Sequence, residues 1–300
     1  MKIEVNNIYQ GDAIELIKDI SDTSIHLLLS DIPYNIGYDS WDVKHNNTNS
    51  ALLGHSPAQD KSKVFKTRGK PLNGWSKSDR EQGKEYYNWC LSWIKECYRI
   101  LVPGASCFIF AGRRYSHQVI NAFEDSRFTL KDQIAWIKTQ ASYKAQKVSS
   151  VFERRGDIDN AIKYKGWKLG NLRPLFEPIL WFQKPYKIGG TLTDNLLGYG
   201  VGAFNEEVLK DDNVLNTGIE VCSNIIRVKS NEEDRGQHPT QKPLQLMKFL
   251  IELVTKEKQI VIDPFAGSGT TCLASKELDR CYIGIEVDKD YCEIAKDRLK

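Results

Sequence analysis

Ile25-His26-Leu27-Leu28-Leu29-Ser30-Asp31-Ile32-Pro33-Tyr34 carries its own punctuation. Ile25 to Leu29 is an apolar run of the kind a strand shows when both faces are buried in a parallel sheet. The run stops at an acid, a proline and an aromatic ring. In open α/β sheets, ligands bind beyond the carboxyl ends of the strands. Asp31-Ile32-Pro33-Tyr34 is therefore expected to be an active-site loop that offers a carboxylate and a flat ring to a planar substrate.

Upstream, Ile3 to Gln10 alternates as a strand does, Gly11-Asp12 ends it, and Ile14, Leu16, Ile17 and Ile20 keep helical spacing. Downstream, residues 35–84 show little apolar periodicity. A loop of that length is uncommon in a compact domain unless it is functional or mobile. Glu85 to Leu101 predicts an amphipathic helix, with Tyr86, Trp89, Trp93, Ile94, Cys97 and Leu101 on one face. Pro103-Gly104 is expected to stop it. Strands follow at Ala105–Ala111, Lys131–Lys138 and Pro178–Lys184, the last pairing with 132–138, and a helix covers 114–124. Residues 139–172 read as irregular or partly helical, and 188–235 as a polar, acidic insertion.

The pattern sharpens again near the C-terminus. A helix, Leu244–Lys256, precedes a buried strand, Ile260-Val261-Ile262, which ends in Asp263-Pro264-Phe265-Ala266-Gly267-Ser268-Gly269-Thr270-Thr271. Glycines between a strand and a helix let a ligand approach the backbone, and the helix N-terminus adds a positive dipole. Glu286 closes the next strand, Cys281–Ile285. An acid there can accept hydrogen bonds from two ribose hydroxyls, as in dinucleotide folds. No Gly-Lys-Ser/Thr follows, which excludes a Walker loop. Strands alternating with helices imply an α/β chain with a mostly parallel, doubly wound sheet.

The 300 residues are 41% hydrophobic and 27% charged, an ordinary globular composition that allows one large domain or two small ones. No stretch approaches the ~20 apolar residues of a membrane span. The cysteines at 90, 97, 107, 222, 272, 281 and 292 form no CxxC pair, so reduced thiols in a cytoplasmic protein are expected. Net charge is +3, unevenly spread. Residues 61–80 hold seven Lys/Arg against one Asp, 131–173 ten against four acids, and 191–235 nine acids against four bases. Basic clusters in a near-neutral chain suggest a face for a polyanion.

Taken in this order, the two loops resemble those of the amino-group DNA methyltransferases that use S-adenosyl-L-methionine. Asp31-Ile32-Pro33-Tyr34 is similar to that family's Asp-Pro-Pro-Tyr catalytic loop, and Asp263–Thr271 to its cofactor loop. His238-Pro239-Thr240-Gln241-Lys242-Pro243 resembles the segment that precedes the cofactor loop in the beta subgroup, a circular permutation with the catalytic loop first. Gly11-Asp12, Leu101-Val102-Pro103-Gly104 and Glu177–Phe182 resemble further signatures of the subgroup. Ile32 stands where the family usually has proline.

The resemblance implies a Rossmann-like, circularly permuted methyltransferase fold with an inserted recognition region. Residues 1–138, 173–187 and 236–300 would form the catalytic and cofactor-binding domain, 139–172 and 188–235 the recognition or insertion region, and 46–84 a long loop near the DNA face. It implies methyl transfer to the N6 amino group of an adenine flipped out of duplex DNA. Asp31 and the Ile32 carbonyl would accept the amino hydrogens, Pro33 would keep the loop extended, and Tyr34 would stack on the base. Phe265, Ala266, Gly267, Ser268, Gly269 and Thr270 would line the cofactor with Asp263, Glu286 would hold its ribose, and Asp12 would meet its adenine end. Thr240 and Lys242 would lie near the methionine carboxylate. No metal is implied. A homodimer and a separately acting cognate restriction endonuclease are compatible with the subgroup. The alternatives are cytosine N4 methylation, an RNA-modifying enzyme, and a non-catalytic DNA-binding subunit with the same fold.

Overall fold

A computed structural model describes residues 3–34, 77–138, 145–210, 223–228 and 241–300. The chain begins with β1 (Asn7–Gln10), α1 (Ala13–Leu16) and β2 (Ile25–Asp31), and resumes with α2 (Lys77–Ile100), β3 (Leu101–Phe110), α3 (Ser116–Asp125) and β4 (Thr129–Ile137). A small unit follows: β5 (Gln146–Lys147), α4 (Val148–Arg154), α5 (Ile158–Lys163) and β6 (Lys168–Leu169), with β5 and β6 paired antiparallel. Then come β7 (Phe176–Gln183), α6 (Leu192–Tyr199), β8 (Ile225–Arg227), α7 (Leu244–Val254), β9 (Ile260–Asp263), α8 (Thr270–Glu277), β10 (Cys281–Glu286) and α9 (Lys289–Arg298).

Eight strands make one sheet in the order β1-β10-β9-β2-β3-β7-β4-β8. All neighbours are parallel except β7, which runs antiparallel to both β3 and β4. The expected pairing of the strand near 178–184 with 132–138 is present, with Ile134 opposite Ile179. Side chains alternate between two cores, as a period of two requires. Leu28, Cys107, Ile109, Leu180 and Phe182 join Trp93, Cys97 and Phe123 on one face. Leu27, Leu29, Phe108, Phe110, Ile179 and Trp181 join Leu246, Leu250 and Ala274 on the other. Helices thus cover both faces of a mostly parallel sheet.

Three boundaries differ from expectation. The helix expected at Glu85 begins at Lys77. Its first eight residues are polar and carry no amphipathic stripe, so periodicity could not find them. Pro103-Gly104 does not follow a stop. Helix passes directly into strand at Leu101, and the register against β2 jumps from Leu101 opposite Ile25 to Ser106 opposite Leu27. Gly104 (φ 79°) makes that irregularity possible. Asn195, in the segment read as an insertion, fills the space beside it and donates from Nδ2 to Pro103 O and Val201 O, both at 3.0 Å. The same segment supplies β8 at the edge of the main sheet, so 188–235 is in part built into the core. Among the described residues, no helix is long and apolar enough to cross a membrane.

Strands β10 and β1 lie to one side of β9, and β3 lies to the far side of β2. The direction of winding therefore reverses between β9 and β2, the place where ligands gather in such sheets. Asp31 ends β2 and Asp263 ends β9 there.

Candidate active site

The two strand ends are joined chemically. Ser30 Oγ donates to Asp263 Oδ1 at 2.6 Å, Thr271 Oγ1 to Asp263 Oδ2 at 2.5 Å, and Phe265 N to Oδ1 at 3.1 Å. Asp263 is buried, and burial raises its carboxyl to about 6 against those three hydrogen bonds. It shapes the turn from within as well as lining the cavity. A group raised this way binds a proton in the folded chain at pH values where the unfolded chain has lost it, so its share of stability falls as pH rises from about 4 to about 6. At about 1.4 kcal/mol per unit, the fall is about 3 kcal/mol. Asp263→Asn keeps the two acceptor contacts of Oδ1 and can donate to Thr271 Oγ1. Urea unfolding of both proteins at pH 4 and pH 7.5 is expected to show the variant gaining about 3 kcal/mol relative to the wild type at the higher pH. A constant difference would refute the assignment.

Beyond Asp263 the chain turns on Gly267 (φ 52°) and Gly269 (φ 77°), and Gly269 caps α8. A side chain at Gly269 would strike Ala295 Cβ at 2.9 Å, so this glycine allows α9 to pack close. A Cβ at Gly267 would meet nothing within 4 Å. Glu286 holds the loop from the neighbouring strand. Its Oε2 accepts from Gly267 N at 2.7 Å and its Oε1 from Asp288 N at 2.8 Å. A carboxylate offers about four lone-pair sites, so two backbone donors leave it room for more. Arg298 Nη1 donates to Ser268 O at 2.5 Å and also reaches Ser268 Oγ and Thr270 Oγ1, each at 3.2 Å, which fixes the loop from α9. Phe265 packs against Trp89 and Trp93, at ring centroid separations of 5.4 and 5.3 Å. Asp12 caps α1, accepting from Ile14 N at 2.8 Å.

Ile32 is buried in the core, and Tyr86 Oη donates to Pro33 O at 2.7 Å, so the loop after β2 is pinned from α2. Tyr34 Oη sits between two carboxylates, 2.6 Å from Asp31 Oδ1 and 2.7 Å from Glu177 Oε1. Gly112 makes room for it, since a Cβ there would approach Tyr34 Cβ to 3.1 Å. Lys242 Nζ contacts Asp31 Oδ2 and lies 3.3 Å from both Glu177 Oε1 and Tyr34 Oη. Lys138 pairs with Glu177 Oε2. Burial pushes Glu177 up, but Lys242 and Lys138 outweigh it and hold the carboxyl at about 2. Burial raises Asp31 more than Lys242 lowers it.

One cavity of 350 Å³ is lined by Asp12, Asp31–Tyr34, Gln241, Lys242, Asp263–Ser268, Thr270 and Glu286. The structure thus brings together the proposed site residues except Thr240, which lies outside the described residues, and Gly269, which serves packing behind the loop. Lys242 lines this cavity with its ammonium group on Asp31. Glu177, Lys138, Tyr86 and Gln241 were given no role from the sequence. An acid at the second position of a largely apolar strand, within a segment that resembles a subgroup signature, is the signal that Glu177 offers. Gln241 carries buried amide atoms, Nε2 and Oε1, with no hydrogen-bond partner among the described residues. No group of three or more His, Cys, Asp or Glu among those residues is placed to hold a metal.

A family model described as DNA methylase matches residues 25–297. The type II methyltransferase M.HindIII of Haemophilus influenzae is 55% identical over 295 residues, 98% of this chain and 95% of that protein. M.HpaI of Haemophilus parainfluenzae, also named a type II methyltransferase, is 27% identical over 96% of this chain and 72% of its own. Among solved structures, the PvuII DNA methyltransferase, described as cytosine-N4-specific, superposes with a TM-score of 0.61 at 18% identity, covering 100% of this chain and 88% of that one. The M1.HpyAVI–SAM complex gives 0.55 at 22% identity, covering 98% of each. At these identities the two structures speak for the fold alone, and it is the same α/β fold.

Proposed function

This chain belongs to the DNA methylase family, and from that premise we propose that it methylates the N6 amino group of adenine in duplex DNA, with S-adenosyl-L-methionine as donor. The observation that carries the reading is the single cavity shared by the Asp31–Tyr34 loop and the Gly267–Glu286 wall. The cavity is of ligand size. The residues on its cofactor side fit a nucleoside-bearing donor. Glu286 has spare acceptor sites for a ribose, Gly267 leaves open space where any other side chain would intrude, and the orphaned Gln241 amide can both donate and accept. Asp12, Phe265 and Ser268 would complete the contacts. When bound, the donor supplies an electrophilic methyl group on a sulfonium.

The protein's own part is orientation. An exocyclic amine is a weak nucleophile because its lone pair is delocalised into the ring. Asp31 accepts one amino hydrogen and the Ile32 carbonyl the other, which favours a pyramidal nitrogen with its lone pair free. This is positioning and electrostatic stabilisation. Tyr34 presents its ring to the base, with its hydroxyl anchored by Glu177. Adenine is preferred because an acid heads the loop, the form that leans toward adenine in the family that the sequence resembles. Cytosine N4 is the second reading, favoured by the PvuII enzyme's stated specificity on the same fold. Residues 145–172, with their lysines and arginines, are assigned to the DNA, where most would meet phosphates. A type II relative at 55% identity supports a role in restriction–modification, with a cognate endonuclease acting separately.

The test is incubation with a methyl-labelled donor and duplex DNA of mixed sequence, followed by hydrolysis and separation of nucleosides. Label in N6-methyl-2′-deoxyadenosine is expected. Label in N4-methyl-2′-deoxycytidine replaces the base assignment, and no label in DNA sinks the reading.

A further inference from the structure

The Tyr34 hydroxyl has more acceptors around it than it has protons. A phenol donates one hydrogen, and an ionised carboxylate only accepts. Yet Asp31 Oδ1 and Glu177 Oε1 both lie at O–H···O distance, 2.6 and 2.7 Å. If both acids were ionised, one of these contacts would set lone pair against lone pair. One additional proton removes the conflict: one carboxyl group donates to the phenolic oxygen, and the phenol donates to the other.

The surrounding charges say which acid carries it. Glu177, from β7, faces two ammonium groups, Lys138 at the end of β4 and Lys242 ahead of α7. Asp31, from β2, has Lys242 as its one ammonium partner among the described residues, and Asp263 on β9 adds negative charge beside it. We infer that Asp31 and Glu177 share one proton through Tyr34, so that Asp31 is a carboxylic acid in the resting protein and accepts the substrate amine when that proton passes to Glu177.

The inference rests on the methyl-transfer reading for its consequence, though not for the resting state itself. As an amine docks, the Asp31 proton moves to Tyr34 Oη while the Tyr34 proton moves to Glu177 Oε1. The nitrogen attacks the methyl carbon, the carbon–sulfur bond breaks with its electron pair going to sulfur, and the nitrogen becomes a cation. Its surplus proton passes to Asp31, and Glu177 releases its own to solvent. The resting acid is restored, with one proton released per methyl transferred. Glu177 is thus a positioning residue that acts through Tyr34.

Isotope-edited infrared spectra of the protein alone at pH 7.5, with ¹³C-labelled aspartate, read the resting state directly. A carboxylic-acid carbonyl band that disappears in Asp31→Asn is expected. Glu177→Gln removes the neighbouring negative charge, so Asp31 ionises and the band is lost. Tyr34→Phe removes the bridging oxygen and is expected to shift or abolish the band. In methylation assays the acidic limb of the pH profile is expected to move to lower pH in Glu177→Gln. A resting protein without an Asp31-dependent acid band overturns the inference, as does a band unchanged in both Glu177→Gln and Tyr34→Phe. If the bands behave as expected but DNA takes no methyl group, the shared proton stands and the methyl-transfer reading falls.

Discussion

Asp31→Ala is expected to slow methyl transfer to DNA by about 10²–10³-fold, the loss seen when one preorganised polar contact to a reacting group is removed. The argument comes from position. Asp31 closes β2 at the reversal of winding and shares its cavity with the cofactor wall, but it makes no contact with Gly267 or Glu286. Donor binding should therefore change little. Measured under single turnover with saturating DNA and donor, the rate constant should fall while the donor dissociation constant, followed by calorimetry, stays within about threefold. A full-rate variant would remove Asp31 from the chemistry. A variant that loses donor affinity by the same factor would show that the two halves of the cavity are not separate. Asp31→Asn is expected to lie between, since an amide oxygen still accepts one hydrogen.

The part of this site that could be read in the sequence is the part governed by strand ends. A buried apolar run followed by an acid announces itself, and so do Asp31 and Glu286. The loop at Phe265–Thr271 is equally plain, because glycines between a strand and a helix have few uses. What stayed hidden depends on register. Glu177 sits opposite Trp136 across the antiparallel pair of β7 and β4, and that alignment brings Lys138 to its carboxylate. Nothing in the spacing of residues 138 and 177 reveals it. Lys242 lines the shared cavity, and its ammonium group pairs with Asp31 and Glu177, a partnership that its place in the sequence does not announce. Ile32 departs from the familiar loop, and its cost in rigidity is offset in two places: the side chain is buried in the core, and Tyr86 holds the next carbonyl. Neither contact could be inferred from the loop alone.

The largest effect on stability is expected at Glu177, for reasons that the pH dependence can separate from packing. Glu177→Gln keeps the shape and removes the charge. In the folded protein Lys242 and Lys138 overcome the burial of this carboxyl and hold it at about 2, against an ordinary value of 4.5. A group whose folded value is depressed contributes stability above its unfolded value, and loses it as pH falls through the folded one. At about 1.4 kcal/mol per unit, the contribution is about 3 kcal/mol at neutral pH, which is a large share of the 5–15 kcal/mol that usually separates folded from unfolded states. Urea unfolding at pH 7 is therefore expected to find Glu177→Gln less stable by about 3 kcal/mol. The deficit should narrow as the pH is lowered from about 4.5 toward about 2. An equal deficit at pH 7 and pH 3 would mean that the lost contacts are steric rather than electrostatic, and the pairing with Lys138 and Lys242 would no longer account for the buried acid. The same lysines explain why the deficit should not be larger. With Glu177 neutral, the negative charge they require passes to Asp31, which ionises in its place and returns part of what was lost.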